Sequence, residues 1–465
     1  SSSVPTGARY MSRLLISAAH KSSGKTTITL GLCAALAERG LSVQPFKKGP
    51  DYIDPMWLGQ ASGRPCHNLD FYCMSHDEIL STVGQYSADA DISLIEGNKG
   101  LYDGLDLHGS NSNAALARLV QAPVVLVLDA RGMTRGIAPL ILGYQAFDPQ
   151  IRIAGVILNQ LGGSRHEAKL RAVIEHYTDV RVLGGVHRHP ELEIVERHLG
   201  LIPSNEETAS TSRIRQIRKV IGAAVDLDAL LASANDAALA YEPLFPDTVA
   251  TDEPVRIGIA RDMAFGFYYP GDLAALERAG AELVMINTLT DSSLPAIDGL
   301  FIGGGFPETQ MQALAANTAM RQQIREAIGN GLPAYAECGG LMYLCRSLRW
   351  QDKQYEMAGV IPADCVMHPR PQGRGYVRLR ETAAMPWAGP RPAGEIAAHE
   401  FHYSALENIS GPLAFAYDVV RGTGVDGEHD GIVINNLLAS YTHMRDTGQH
   451  HWARRFVDFV RRCRR

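Results

Sequence analysis

The chain has 465 residues, 46% apolar and 20% charged, the balance of a soluble globular protein too long for a single core. Its formal charge of −6 and pI near 6.2 argue against a general nucleic-acid binder, and no apolar run reaches the ~18 residues that span a bilayer. The seven cysteines are scattered and form no C-x-x-C pair, which fits a reducing cytoplasm rather than a disulfide framework.

In chain order, Ser1 to Tyr10 reads as an added leader ahead of a natural start at Met11 and is set aside. Leu14-Leu15-Ile16 predicts a strand that enters the turn Ser17 to Thr27, S-A-A-H-K-S-S-G-K-T-T, followed by a helix from about Thr27 to Glu38 closed by Gly40. A phosphate cradle needs successive backbone N–H groups, a lysine for the outer phosphates and a hydroxyl for Mg²⁺. Gly24, Lys25, Thr26 and Thr27 supply its second half, while Ala19 stands where the usual first glycine would be. After a short strand, Lys47 to Pro55 concentrates charge and turn residues. Cys66, His67 and Cys73 are too few for a zinc site.

Further strands are predicted at Ile92 to Ile95, Pro123 to Leu128 and Ile153 to Leu158, each followed by loop and then helical sequence. That alternation reads as a mostly parallel sheet covered by helices, with ligands at the carboxyl ends of the strands. Glu96 closes one strand and is placed to hold Mg²⁺. Asp103 adds an acid in a Gly-rich loop, and Asn159 ends another strand where it could read an adenine edge. The expected first domain is 11–240, and residues 241–254, with three prolines and several acids, form the expected linker.

A second alternating series, residues 255–465, begins with strands at Val255 to Ala260, Glu282 to Ile286, Gly299 to Ile302 and Pro333 to Ala336. Leu332 to Gly340, L-P-A-Y-A-E-C-G-G, predicts a strand, a sharp elbow and a helix start. Cys338 therefore stands at a helix N-terminus, where a thiolate is favoured, between small neighbours that permit a displayed nucleophile. His443 is the candidate base. The Gly303-Gly304-Gly305 turn can turn N–H groups towards an oxyanion, with Gly339 beside the thiol. The Arg-rich end, including Arg454 and Arg455, reads as the solvated face of a last helix.

These motifs resemble a known family. G-G-G-F-P-E, A-E-C-G-G, H-E-F-H-Y-S (His399 to Ser404) and S-Y-T-H are similar to a class I glutamine amidotransferase domain of the cobyric/cobyrinic acid synthase branch. The first half resembles the dethiobiotin-synthetase-like P-loop domain that precedes it there. K-G-P-D-Y-I-D-P, E-G-N-K-G-L-Y-D-G and A-R-D-M-A-F-G-F-Y-Y-P resemble cobyrinate (hydrogenobyrinate) a,c-diamide synthases more narrowly. The resemblance implies an α/β fold in both halves, ATP with Mg²⁺, L-glutamine as ammonia donor and a tetrapyrrole polycarboxylate as acceptor. It implies Cys338 as nucleophile, His443 as base, and Asp51, Tyr52, Ile53, Glu96 and Asp103 as handlers of substrate carboxylate and nucleotide, with Asp51 joining Thr26 and Glu96 around Mg²⁺. No nucleic acid or membrane is expected as a partner, and a homodimer is compatible with the chain.

Arg445 stands where many class I enzymes place a glutamate, leaving Asp446 and Glu400 as candidates to orient the imidazole. Asn98-Lys99 and Asn111 to Ala114 depart from the family pattern in loops expected to face the ring. These departures resemble amidases of sirohaem or sirohydrochlorin-type rings linked with dissimilatory sulfite reductase. Two other readings are a P-loop switch ATPase, against which stands His20 in place of a signature lysine, and an amidoligase whose thiol half is only an interaction module.

Overall fold

The computed structural model describes residues 9–20, 24–199, 204, 207–244, 248–389, 391–392 and 394–464. The chain divides into two compact units, Ser1–Phe71 with Ser75–Leu244, and Tyr72–Met74 with Phe245–Arg465. Among the described residues no helix is long and apolar enough to cross a membrane.

The first unit is built on seven parallel strands: β1 (Arg13–Ala18), β2 (Val43–Lys48), β3 (His67–Leu69), β4 (Ile92–Gly100), β5 (Val124–Asp129), β6 (Ile153–Leu161) and β7 (Val182–His187). Their order across the sheet is β3-β2-β4-β1-β5-β6-β7. β1 and β2 are buried at every position, as expected of parallel strands covered on both faces. Helix α1 (Lys25–Glu38) follows β1 and sends Ile28, Leu30, Leu32 and Leu36 into the core with Ile217 and Ile221. A Cβ on Gly31 would fall 2.5 Å from Ile221, so α1 and the helix Glu207–Ala224 approach to a distance only glycine allows. Helix α2 (Ile53–Ser62) buries Trp57 and Leu58 and ends on Gly63 in the left-handed conformation.

Several expectations are corrected in this unit. α1 begins at Lys25, two residues early, because Gly24 at φ 94° turns the chain into the helix without a side-chain cap. Glu96 does not close its strand. β4 continues to Gly100, since its register with β1 carries past Glu96 to the Ala18↔Gly100 pair. Asn159 likewise lies inside β6, paired with Asp129. Arg9 and Tyr10, set aside with the leader, pair antiparallel with Leu239 and Ala238. Lys21, Ser22 and Ser23 of the phosphate loop lie outside the described residues.

The second unit is built on a nine-stranded sheet: β8 (Val255–Ala260), β9 (Ala281–Ile286), β10 (Gly299–Ile302), β11 (Ala334–Glu337), β12 (Gly373–Glu381), β13 (Ile396–His402), β14 (Ala414–Arg421), β15 (His429–Ile434) and β16 (Leu437–Ser440). Their order is β9-β8-β10-β11-β16-β15-β14-β12-β13. From β9 to β16 the pairing is parallel; beyond β16 it is antiparallel. The parallel half therefore gathers its carboxyl ends on one edge, where Cys338 follows β11 and His443 follows β16.

Helix α3 (Trp452–Arg464) closes the core with Trp452, Phe456 and Val460. Arg455 departs from the solvated face expected of it. It is 2% exposed, forms a two-pronged pair with Glu381 at 2.5 and 2.9 Å, and donates to the Trp387 carbonyl at 2.9 Å. Guanidinium geometry suits such a paired, buried placement.

Candidate active site

In the first unit the phosphate-loop residues meet a buried charge cluster. The register Lys47↔Glu96 sets these two side by side on neighbouring strands. Lys47 Nζ lies 2.9 Å from Asp54 Oδ2 and 3.3 Å from Glu96 Oε2, and Thr26 Oγ1 donates to Asp54 Oδ2 at 3.1 Å. Asp51 caps α2 from outside: its Oδ1 accepts from the N–H groups of Ile53 at 2.9 Å and Asp54 at 3.2 Å. Asn68 ties the turn down by donating to the carbonyls of Gly49 and Asp51. Thr26, Asp51, Asp54 and Glu96 thus converge with Lys25 and Lys47. Asp54 and Lys47 were not singled out from sequence.

Burial penalises every charge here, and the neighbours decide the outcome. Burial lowers Lys25 to about 8, helped by Lys47. Burial also pulls on Lys47, but Asp54, Glu96 and Asp51 outweigh it and hold the ammonium charged. Burial and the Asp54 charge push Asp51 up to about 8; Asp54 itself is drawn down against burial by Lys47. Glu96 is raised by burial, with Lys47 pulling the other way, and beyond that ion pair at 3.3 Å neither of its oxygens has a hydrogen-bond partner by geometry. A buried carboxylate so left is suited to a cation. Among the described residues no three His, Cys, Asp or Glu side chains form a metal cluster by themselves. Mg²⁺ asks for less, one or two carboxylates beside phosphate oxygens, and Thr26 with Glu96 and the Asp51–Asp54 pair fits that.

Tyr52 is buried at the N-cap of α2, and Ile53 is the helix's first residue. Asp103 is exposed, with its carboxylate beside Gly100, where an added Cβ would also meet the Ala19 carbonyl. Asn159 is 3% exposed and its carbonyl accepts from Ala130 N–H. The loops expected to face a ring are largely committed inward. Asn113 is fully buried and donates to Ser17 Oγ at 2.9 Å and to the Asn98 carbonyl. Asn111 accepts from Leu105 N–H, and Asn98 Oδ1 accepts from Lys48 Nζ at 2.9 Å. Of these, Lys99 points to solvent.

In the second unit Cys338 occupies a strained elbow at φ 46°, ψ −97° between β11 and the short helix Gly339–Leu344. Its N–H donates to the Ser440 carbonyl at 2.7 Å, and its Sγ lies 3.7 Å from the Phe401 carbonyl oxygen. Small neighbours are obligatory: a Cβ on Gly340 would strike the Ile302 carbonyl, and one on Gly339 would lie 3.0 Å from Gly305 N. A Cβ on Gly304 would lie 2.7 Å from His443 Cε1. Gly304 and Gly305 therefore touch both the elbow and the imidazole, and β11 and β16 pair in the register Glu337↔Ser440.

His443 stacks on His399, ring centroids 5.0 Å apart at 18°, and their backbones bridge at 2.8 Å. Burial drives His443 down to about 3. The thiol is shifted well upward, by burial first and then by the Glu308 charge. Burial and the nearby acids thus work against the thiolate that the helix N-terminus favours. Glu308 is itself raised to about 7 by burial, and its Oε2 has no hydrogen-bond partner.

Neither carboxylate expected to orient His443 is directed at it. Glu400 accepts from Thr423 N–H and Gly424 N–H and meets His402 Nε2 at 3.1 Å. Asp446 accepts from Ala453 N–H and meets His451 Nδ1 at 3.1 Å. Arg445 lies over the Tyr269 ring.

A P-loop unit joined to a thiol-elbow unit defines a nucleotide-dependent glutamine amidotransferase, and comparison with known proteins agrees. Residues 15–202 match the CobQ/CobB/MinD/ParA nucleotide binding domain and residues 256–448 the CobB/CobQ-like glutamine amidotransferase domain. The chain is 46% identical to a cobyrinate a,c-diamide synthase of Magnetococcus marinus over 95% of each chain. It is 40% identical to that of Methanosarcina acetivorans, over 97% of this chain and 96% of the relative. The same identity holds for the Archaeoglobus fulgidus protein, over 96% of each. The chain belongs to the cobyrinate a,c-diamide synthase family.

Proposed function

We propose that residues 11–240 are the amidoligase and residues 255–465 the glutaminase of an enzyme that amidates the a and c acetates of cobyrinate. The observation that carries this reading is the meeting of Cys338, Gly304-Gly305 and His443 at the ends of two adjacent parallel strands, in one chain with a phosphate loop beside buried carboxylates.

At rest the thiol and imidazole are neutral, since burial raises one and lowers the other. When glutamine enters, His443 takes the thiol proton as Sγ attacks the amide carbon, and the carbonyl electron pair moves onto oxygen. Backbone N–H groups of Gly304, Gly305 and Gly339 are the donors for that oxyanion; one such donor contributes ~3–4 kcal/mol. The imidazolium then protonates the departing nitrogen, giving ammonia and a thioester that water hydrolyses to glutamate. In the other unit the ring carboxylate attacks the γ-phosphorus of ATP, releasing ADP and leaving an acyl phosphate. Ammonia attacks its carbonyl carbon, phosphate departs, and the amide remains. Lys25, with the N–H groups from Gly24 to Thr27, holds phosphate oxygens. Mg²⁺, held by Thr26 and Glu96 with Asp51 or Asp54, would neutralise charge between the phosphates. Asp51, Tyr52, Ile53 and Asp103 are assigned to the substrate side, Asn159 to the adenine. The cysteine usage supports the cytoplasm as the place of work.

Asn98, Asn111 and Asn113 are held by internal hydrogen bonds, whereas Lys99 is exposed; amidation of a sirohaem-type ring stands as the second reading. Incubation with ATP, glutamine and either cobyrinate or sirohaem, followed by mass spectrometry, tests the assignment. Two successive OH-to-NH₂ shifts on cobyrinate are expected. Conversion of sirohaem with cobyrinate untouched would overturn it.

A further inference from the structure

The residue two places after His443 is an arginine, and Glu400 and Asp446 are spent on other partners. A third carboxylate is differently placed. Glu337 is the last residue of β11, immediately before Cys338, and is 2% exposed. Its Oε2 accepts from Tyr335 OH at 2.6 Å and from Met444 N–H at 2.7 Å. Both donors fall on that one oxygen. The other, Oε1, faces His443 Nδ1 at 3.7 Å.

We propose that Glu337 is the positioning residue of the glutaminase: its Oε1 accepts the Nδ1 proton of His443, which leaves Nε2 to exchange protons with the thiol. This rests on the reading of Cys338 and His443 as nucleophile and base. The placement follows from the sheet. β11 and β16 run parallel with Glu337 opposite Ser440, so the side chain preceding the nucleophile reaches the segment that carries His443, three residues past the strand. The Met444 N–H bond fixes the carboxylate to that segment's backbone. The His399 stack fixes the plane of the imidazole, and Glu337 fixes which nitrogen faces inward. A separation of 3.7 Å is long for a hydrogen bond, and such contacts commonly tighten only when substrate is bound. Charge follows the same logic. A histidine that burial holds neutral can accept the thiol proton only if a negative group meets the new positive charge, and Glu337 is the carboxylate next to Nδ1. Burial pushes its own pKa up to about 8, against the two hydrogen bonds to Oε2, so Glu337 supplies that negative charge fully only above this value, and the glutaminase rate rises as it ionises.

The test compares Glu337→Gln with the intact enzyme in glutaminase assays and in synthesis driven by ammonium, which bypasses the thiol and reports on folding. The expected result is a glutaminase kcat lower by roughly 10²- to 10⁴-fold, with KM for glutamine and ammonium-driven synthesis within threefold. A glutaminase kcat within threefold of wild type would overturn the proposal. Cys338→Ala and His443→Ala run beside it. Turnover surviving in either would sink the Cys–His reading itself, a different failure. A measurement on the unsubstituted enzyme guards against misfolding of the variant. The ¹⁵N imidazole signals of His443, assigned by loss in His443→Gln and read at pH 9, should show the tautomer protonated at Nδ1. The tautomer protonated at Nε2 would reject the role of Glu337 whatever the variant does.

Discussion

The two units bury their reactive groups in opposite electrostatic states. Around Lys25 the first keeps charges and pairs them: Lys47 stays an ammonium between Asp54 and Glu96. Around Cys338 the second keeps its groups neutral, with the thiol pushed up and the imidazole pushed down. The chemistry proposed for each explains the difference. A polyphosphate arrives charged and needs fixed counter-charge on arrival. A thiol acting on a neutral amide needs charge only during reaction, and a neutral pair costs less to bury than an ion pair. The same physical term, desolvation, is offset by partners in one unit and used in the other.

The largest expected break in this comparison is chemical. Cys338→Ala should lower glutamine-driven synthesis by at least ~10⁴-fold, as loss of a nucleophile does elsewhere, while ammonium at high pH still supports amide formation. Glutamate release and product mass measured side by side would check it. Next is Lys47→Met, which leaves Asp54 and Glu96 buried without their cation. Stability of the first unit should fall by about 3–5 kcal/mol, read as a lower urea midpoint. Adding Glu96→Gln should recover part of that loss, because the two residues share one interaction. Strict additivity of the two changes would mean that the cluster is not coupled.

Much of this fold is legible from local pattern. The β-branched and leucine runs of β6, β8 and β10, each bounded by glycine or polar turns, announce buried parallel strands. The elbow is legible too, because A-E-C-G-G allows a turn that a larger side chain at Gly340 would block. The antiparallel half is harder to read. In β12 the buried Val377 and Leu379 alternate with exposed Arg378 and Arg380, a short period-two signal amid charge that passes for loop. What the sequence hides about the sites is register. Lys47 becomes a partner of Glu96 only when β2 lies beside β4, and Glu337 meets His443 only when β11 lies beside β16. Asp54 carried a local signal, as an acid in the first turn of α2 where the helix dipole favours it. Arg455 carried a misleading one. Its arginine neighbours suggest solvent, and only the distant Glu381 shows that it is buried.

The smallest effect is also the most direct reading of the neutral state in the second unit. The imidazole of an unfolded chain takes a proton near 6.5, whereas that of folded His443 takes one only near 3. Between these values the unfolded state binds the extra proton, so this histidine's contribution to stability is complete above 6.5 and is lost as pH falls towards 3. Glutamine at the same position cannot titrate. The stability of His443→Gln relative to wild type should therefore rise on acidification below pH 6.5, by up to about 1.4 kcal/mol per pH unit, whatever offset the substitution introduces at neutral pH. Denaturation curves of both proteins at pH 7.5, 6.5 and 5.5, taken as differences, would show it. Glu337, which burial raises to about 8, acts in the opposite sense: its contribution is complete below its unfolded value and is lost as pH rises to 8, and repeating the comparison in a Glu337→Gln background removes it. A flat difference would mean that His443 titrates alike in the folded and unfolded chain, and a difference that falls between pH 7.5 and 6.5 would mean that it is charged in the folded state. Either result would remove the contrast between the two units.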